Sequence, residues 1–343
     1  MYEKKLESIY TEDAKTSNEF REEYLQGVRK LVEMKLEESR HLRDIYGAKI
    51  CENRDGARRE LKNMLGWPLD CEPKPILNVR QETLTKNDRW IVSRVHFEMF
   101  PGVWVYGEFL QHNTSKKLPL IIVQHGGAGT PEACSSFFDS HNYNDMSIRI
   151  LSKGVNVFAP QLLLWKDWVY NDGYGIRLEL ENELRRTGGS IAALEIYFIQ
   201  RIIDYYEKSM YCDGKIGMIG MSYGSFYALY TAACDTRIKA VMACSLFSER
   251  KVCFANDFSW TNSYNQFGDA EVGALIYPRP LRIEFGDKDP GKWVTGAEAE
   301  YERLKCYYCD KQRELSMLKF DGSHEFSPDD EGIEWTIEKL VNS

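Results

Sequence analysis

Six short runs in this chain, LPLIIVQHG (118–126), NVFAPQL (156–162), KIGMIGM (215–221), KAVMACSL (239–246), LRIEFG (281–286) and LSMLKF (315–320), are nearly continuously apolar. They are mostly separated by helix-compatible stretches. A strand without polar alternation is buried on both faces, and strands that alternate with helices build a parallel sheet with helices packed on either side. Ahead of these runs, RWIVSRVHFEMF (89–100) and VWVYGEFLQ (103–111) alternate apolar and polar residues around Pro101-Gly102, which predicts an antiparallel hairpin. The expected fold class is therefore α/β, with a mostly parallel eight-stranded sheet flanked by helices.

Residues 1–66 differ in character. They are charged and helix-prone, with Phe20, Tyr24, Val28, Leu31 and Val32 recurring at helical spacing, so an N-terminal helical arm precedes a main domain over 67–343. The expected role of the arm is to cover one edge of that domain, with a contact between two copies of the chain, a homo-oligomer, as the alternative. The chain carries 44 basic and 52 acidic side chains, a formal net charge of -8. That balance argues against nucleic acid or an anionic membrane as a partner, both of which ask for a basic surface. No apolar run is long enough to cross a bilayer, the first residues lack a secretory core, and nine scattered cysteines suit a reducing compartment, so a cytoplasmic location is expected. Cys306 and Cys309 have neither a second pair nor a nearby histidine to complete a metal site; no metal is expected.

One serine stands at a cramped junction. Gly220-Met221-Ser222-Tyr223-Gly224 follows the run KIGMIGM and precedes the helix-like SFYALYTAAC. This is the G-x-S-x-G pattern, in which glycines let a strand turn sharply into a helix and expose the serine hydroxyl at the carboxyl edge of the sheet. A hydroxyl needs a base to remove its proton, and the base needs a carboxylate to orient it. Among six histidines, His324 emerges from the last strand at that same edge, in LKFDGSHEFSP, and is the expected base, with His141 in a polar loop as the alternative. The acid comes from GDKDPGKW: Asp289 lies far enough along the loop to turn back toward the base, and Asp287 is the alternative. The loop VQHGGAGTPE brings Gly126 and Gly127 to the same edge. The amide of Tyr223, with that of Gly127 or of neighbouring Gly126, is the expected pair of oxyanion donors.

Taken together, HGGAG, GMSYGS, YPRPLRIEFGDKD and DGSHEF resemble, in order and separation, the α/β-hydrolases, and within them the dienelactone hydrolase and acetyl xylan esterase-like branch. The resemblance covers about 90–340. It implies a serine carboxylic-ester hydrolase that works through an acyl-enzyme on a small ester, an acetylated sugar or aryl ester, without metal or organic cofactor. Position 222 is serine where dienelactone hydrolases proper use cysteine, and Tyr223 stands where the similar glucuronoyl esterases carry arginine. A peptidase or acyl-CoA thioesterase on the same fold, or a non-catalytic binding protein, is the alternative. Residues 162–190 read as a cap insertion. Within and after it, Trp165, Trp168, Tyr170 and Trp260 are candidates to stack on a substrate ring, against the equal alternative that they pack the cap.

Overall fold

A computed structural model describes residues 12–164, 175–250, 256–289, 291 and 293–343. The arm opens with α1 (Ala14–Glu52), capped by the Asp13 carboxylate on the Lys15 amide, and continues as α2 (Arg54–Leu65). Asn53 joins them by accepting from the Gly56 amide, which supplies the N-cap that α2 needs. The inner part of α1 buries Ser39, Arg43, Tyr46, Gly47 and Ile50, and α2 buries Ala57, Leu61 and Leu65. The inner arm is thus part of the core.

The sheet has nine strands in the order β1-β2-β3-β5-β4-β6-β7-β8-β9. The six apolar runs become β4 (Leu118–Gln124), β5 (Asn156–Pro160), β6 (Cys212–Met221), β7 (Ile238–Cys244), β8 (Leu281–Gly286) and β9 (Leu315–Phe320), all mutually parallel. The hairpin is β2 (Trp90–Phe100) and β3 (Val103–His112). The expected count of eight strands is one short, because β1 (Asn78–Lys86) adds antiparallel to β2 at the sheet edge. Its sequence, NVRQETLTK, is exposed along almost its whole length, so it is held by backbone hydrogen bonds and carries no apolar signal.

Helices cover both faces. One core cluster joins the inner arm to α6 (Ile191–Glu207), α7 (Tyr223–Cys234) and α10 (Ala297–Tyr307); the other joins α4 (Met146–Ser152) and α11 (Glu331–Val341) across the sheet. Every residue of α7 is buried, as expected of a helix that starts at the sheet's central strand and runs beneath its neighbours. Between β5 and α6, the described part of the expected cap is α5 (Gly175–Arg186). Trp165, Trp168 and Tyr170 lie outside the described residues. Among the described residues no helix is long and apolar enough to cross a membrane.

Candidate active site

Ser222 occupies the turn between β6 and α7 with φ 58° and ψ -120°, a left-handed conformation that non-glycine residues rarely hold and that costs about 1–3 kcal/mol. The flanking glycines follow from crowding. A Cβ at Gly220 would sit 2.0 Å from the Gly224 carbonyl oxygen, and one at Gly224 would sit 1.9 Å from the Gln124 carbonyl oxygen. Only glycine at both positions lets the strand fold so tightly onto the helix and onto β4. The Ser222 amide donates to the Cys244 carbonyl at 2.8 Å, which locks the turn to β7.

The loop after β9 brings His324 to this turn, with Nε2 2.9 Å from the Ser222 hydroxyl. On the far side of the ring, Nδ1 lies 2.8 Å from Oδ2 of Asp289. A carboxylate only accepts, so Nδ1 carries the hydrogen and the lone pair of Nε2 faces the serine. The histidine is the open member of the three: its side chain is 26% exposed, whereas Ser222 and the Asp289 side chain are buried. The structure therefore brings Ser222, His324 and Asp289 together. Asp287 is not part of the cluster; it is exposed and accepts from the Gly322 amide at 3.3 Å. The hairpin histidines lie elsewhere: His96 stacks on Tyr106 and His112 bonds the Leu151 carbonyl.

Residues without an obvious motif hold the histidine loop. Asn142 donates to the His324 carbonyl at 3.0 Å and accepts from the Phe326 amide at 2.8 Å, while the Ser245 hydroxyl donates to the Glu325 carbonyl at 2.7 Å. These contacts span 80 or more positions, and no local pattern signals them. The glycine loop presses on the serine from the other side: a Cβ at Gly126 would lie 2.8 Å from that of Ser222. Gly127 follows, its carbonyl held by the Tyr143 hydroxyl at 3.0 Å. His125 braces this loop. Its Nδ1 donates to the Gly126 carbonyl at 2.8 Å and its Nε2 accepts from the Leu162 amide at 3.0 Å. Complete burial lowers its pKa to about 4, so the ring is neutral and both contacts persist at neutral pH.

Tyr223, Phe258 and Trp293 form an aromatic wall, with ring centroids 4.3 Å apart for Tyr223 and Phe258 and 5.6 Å for Phe258 and Trp293. Trp293 approaches the His324 ring at 6.5 Å. Trp260 does not join this wall; it packs edge-on against Tyr230, about two turns along α7 from Ser222. Arg177 of α5 is buried beneath the wall, bonded to Asp257, Glu195, Tyr227 and the Leu163 carbonyl, its guanidinium 5.7 Å from the Tyr223 ring centre. Among the described residues no three histidine, cysteine or acidic side chains are gathered to hold a metal ion.

Comparison with known proteins places this geometry in context. The X-Pro dipeptidyl-peptidase (S15 family) pattern matches residues 192–285. "Putative hydrolase YtaP" of Bacillus subtilis (strain 168) is 26% identical over 262 residues, 71% of this chain and 85% of its own length. A "putative acetyl xylan esterase" from Bacteroides fragilis superposes with a TM-score of 0.63 over 81% of this chain and 77% of its own, at 12% identity. A glucuronoyl esterase from Solibacter usitatus superposes with a TM-score of 0.59 over 84% and 90%, at 14% identity. This chain has an α/β-hydrolase fold. The matched segment 192–285 contains the Ser222 elbow of that fold and ends with β8. In an α/β-hydrolase the carboxyl edge of the sheet is where loops build the site, and here Ser222, Asp289 and His324 all leave the sheet at that edge. The S15 pattern and YtaP support a hydrolase; the superposed structures show the fold, and the substrate stays open.

Proposed function

We propose that the chain is a serine carboxylic-ester hydrolase of the acetyl esterase-like kind, acting on a small ester through an acyl-enzyme. One observation carries this reading: the continuous hydrogen-bonded chain from Ser222 through His324 to the buried Asp289. In the proposed cycle His324 takes the serine proton as Ser222 attacks the ester carbonyl, and the Asp289 carboxylate stabilises the imidazolium. The amides of Tyr223 and Gly127, with Gly126 as the alternative to Gly127, receive the oxyanion. Collapse expels the alcohol, which takes the proton from His324. A water molecule, deprotonated by the same ring, then releases the carboxylic acid and restores the serine. The groups on hand suffice for each proton transfer. The aromatic wall beside His324 favours an ester with a flat or bulky ring, an acetylated sugar or an aryl alcohol, since such faces stack on aromatic side chains.

The S15 pattern over the nucleophile segment favours one second reading, a peptidase. A substrate panel separates the two: p-nitrophenyl acetate and acetylated sugars against X-Pro p-nitroanilides. The ester reading expects turnover of the first group, lost in Ser222→Ala. Turnover of the anilides with no hydrolysis of any ester would replace it with the peptidase reading.

A further inference from the structure

The outer part of α1 has no counterpart in the packing of the inner part. Every residue from Ser17 to Lys35 is exposed, about five helical turns that stand away from the body of the protein. Yet Phe20, Tyr24, Leu31 and Met34 are each more than half exposed, and Leu25, Val28 and Val32 add to the same apolar surface. Helices in proteins draw most of their stability from packing an apolar face, and an apolar face of this extent marks a contact surface. The surface continues toward the body as a groove lined by Leu31, Val32, Leu36, Leu42 and Asn265.

Charge indicates the occupant. Residues 12–23 carry five carboxylates against two cations, whereas residues 29–35 carry three cations against one carboxylate. The exposed stretch is therefore acidic at its outer end and basic over residues 29–35, before Glu37 and Glu38, which makes that stretch complementary to a reversed copy of itself. With a two-fold axis between Gln26 and Gly27, Glu23 of each copy faces Lys30 of the other, because both lie along one edge of the apolar stripe at helical spacing. In that register Phe20 lies beside Met34 of the second copy. Gly27, with open space where a Cβ would project, lets the backbones approach at the crossing.

We propose that the outer α1 helices of two copies of this chain pair antiparallel, apolar face to apolar face, to form a two-fold dimer. Such an interface is self-complementary, as a closed dimer requires. The test is sedimentation equilibrium of the full chain, with circular dichroism as the check on folding. The expected result is a dimer of the 39.8 kDa chain that becomes a monomer in the Tyr24→Glu/Leu31→Glu variant with its helical signal kept. Glu23→Lys alone and Lys30→Glu alone should each weaken dimerisation roughly tenfold, since each turns two attractive rim pairs into repulsive ones. The Glu23→Lys/Lys30→Glu double variant should recover it. A monomer at every concentration, a dimer unaffected by Tyr24→Glu/Leu31→Glu, or a double variant no better than the singles would each overturn the proposal.

Discussion

Two kinds of buried polar cluster stand side by side in this molecule, and they differ in how completely their charges are answered. Around Arg43 of the arm, the guanidinium meets Glu300 through Nη1 at 2.9 Å and Nη2 at 2.6 Å, and Glu271 through Nε at 2.7 Å; Glu271 also accepts from Arg303 and from the Tyr307 hydroxyl. Arg177 is bonded in the same saturated way to Asp257, Glu195 and Tyr227. At Ser222 the chain of groups instead runs through a histidine that is a quarter open to the buried Asp289, whose Oδ1 finds no hydrogen-bond partner among the described residues. The Arg43 and Arg177 guanidiniums are each closed off by carboxylates and tie elements together, with only Nη2 of Arg303, at the margin of the first cluster, left without a partner among the described residues. An incomplete one, strained at its serine and opening outward, is the arrangement that the proposed proton transfer requires.

The contrast is tested most strongly by Asp289→Asn. An amide can turn its NH2 toward Nδ1 and so favour the wrong tautomer of His324, and ester turnover should fall about 10⁴-fold with little change in the unfolding midpoint. A variant that keeps most of its turnover would move Asp289 into the structural class. The opposite pattern is expected of Arg43→Ala, which strands Glu271 and Glu300 in the interior: a loss of about 3–5 kcal/mol in urea unfolding, with turnover per folded molecule unchanged. Arg177→Ala should destabilise similarly and also lower turnover, because its guanidinium lies against Tyr223, the residue after the proposed nucleophile.

A third buried carboxylate sharpens the distinction further. Glu108 on β3 is wholly buried, with only the Ser135 hydroxyl and the Arg94 guanidinium, among the described residues, near enough to favour its charged form. Burial, with the nearby Glu132 carboxylate adding to it, pushes its pKa up to about 7. A raised carboxyl pKa means that the folded state holds a proton the unfolded chain has lost, so its contribution is full below about pH 4.5 and disappears as pH rises through about 7. Glu108→Gln should therefore stabilise the protein at pH 8 by about 2–3 kcal/mol and have little effect at pH 4, read from denaturant midpoints at the two values. His125 carries the reverse sign. Its lowered pKa gives stability that is full above about 6.5 and is lost as pH falls toward 4.

Much of this was legible in the chain. The apolar runs mark β4 to β9 because a strand buried on both faces has no polar side to show, and the G-x-S-x-G turn announces itself because two glycines are sterically required around Ser222. The polar edge strand β1 was invisible for the complementary reason. Nothing local in the sequence marks Arg43 and Arg177 as buried, since their partners Glu300 and Asp257 lie 257 and 80 positions away. Between Asp287 and Asp289 the spacing favoured the second without excluding the first; the backbone bond from the Asp287 amide to the Phe320 carbonyl is the long-range contact that separates them. Trp293, which stands against His324, had no motif to mark it.

The central claim is that His324 activates the Ser222 hydroxyl, and the rate of covalent labelling by a fluorophosphonate, followed by intact-mass and peptide mass spectrometry, tests it most directly. The account predicts a single adduct on Ser222, absent in Ser222→Ala and formed at least about 10³-fold more slowly in His324→Ala. Labelling of His324→Ala at the unaltered rate, or an adduct on another residue, would contradict it.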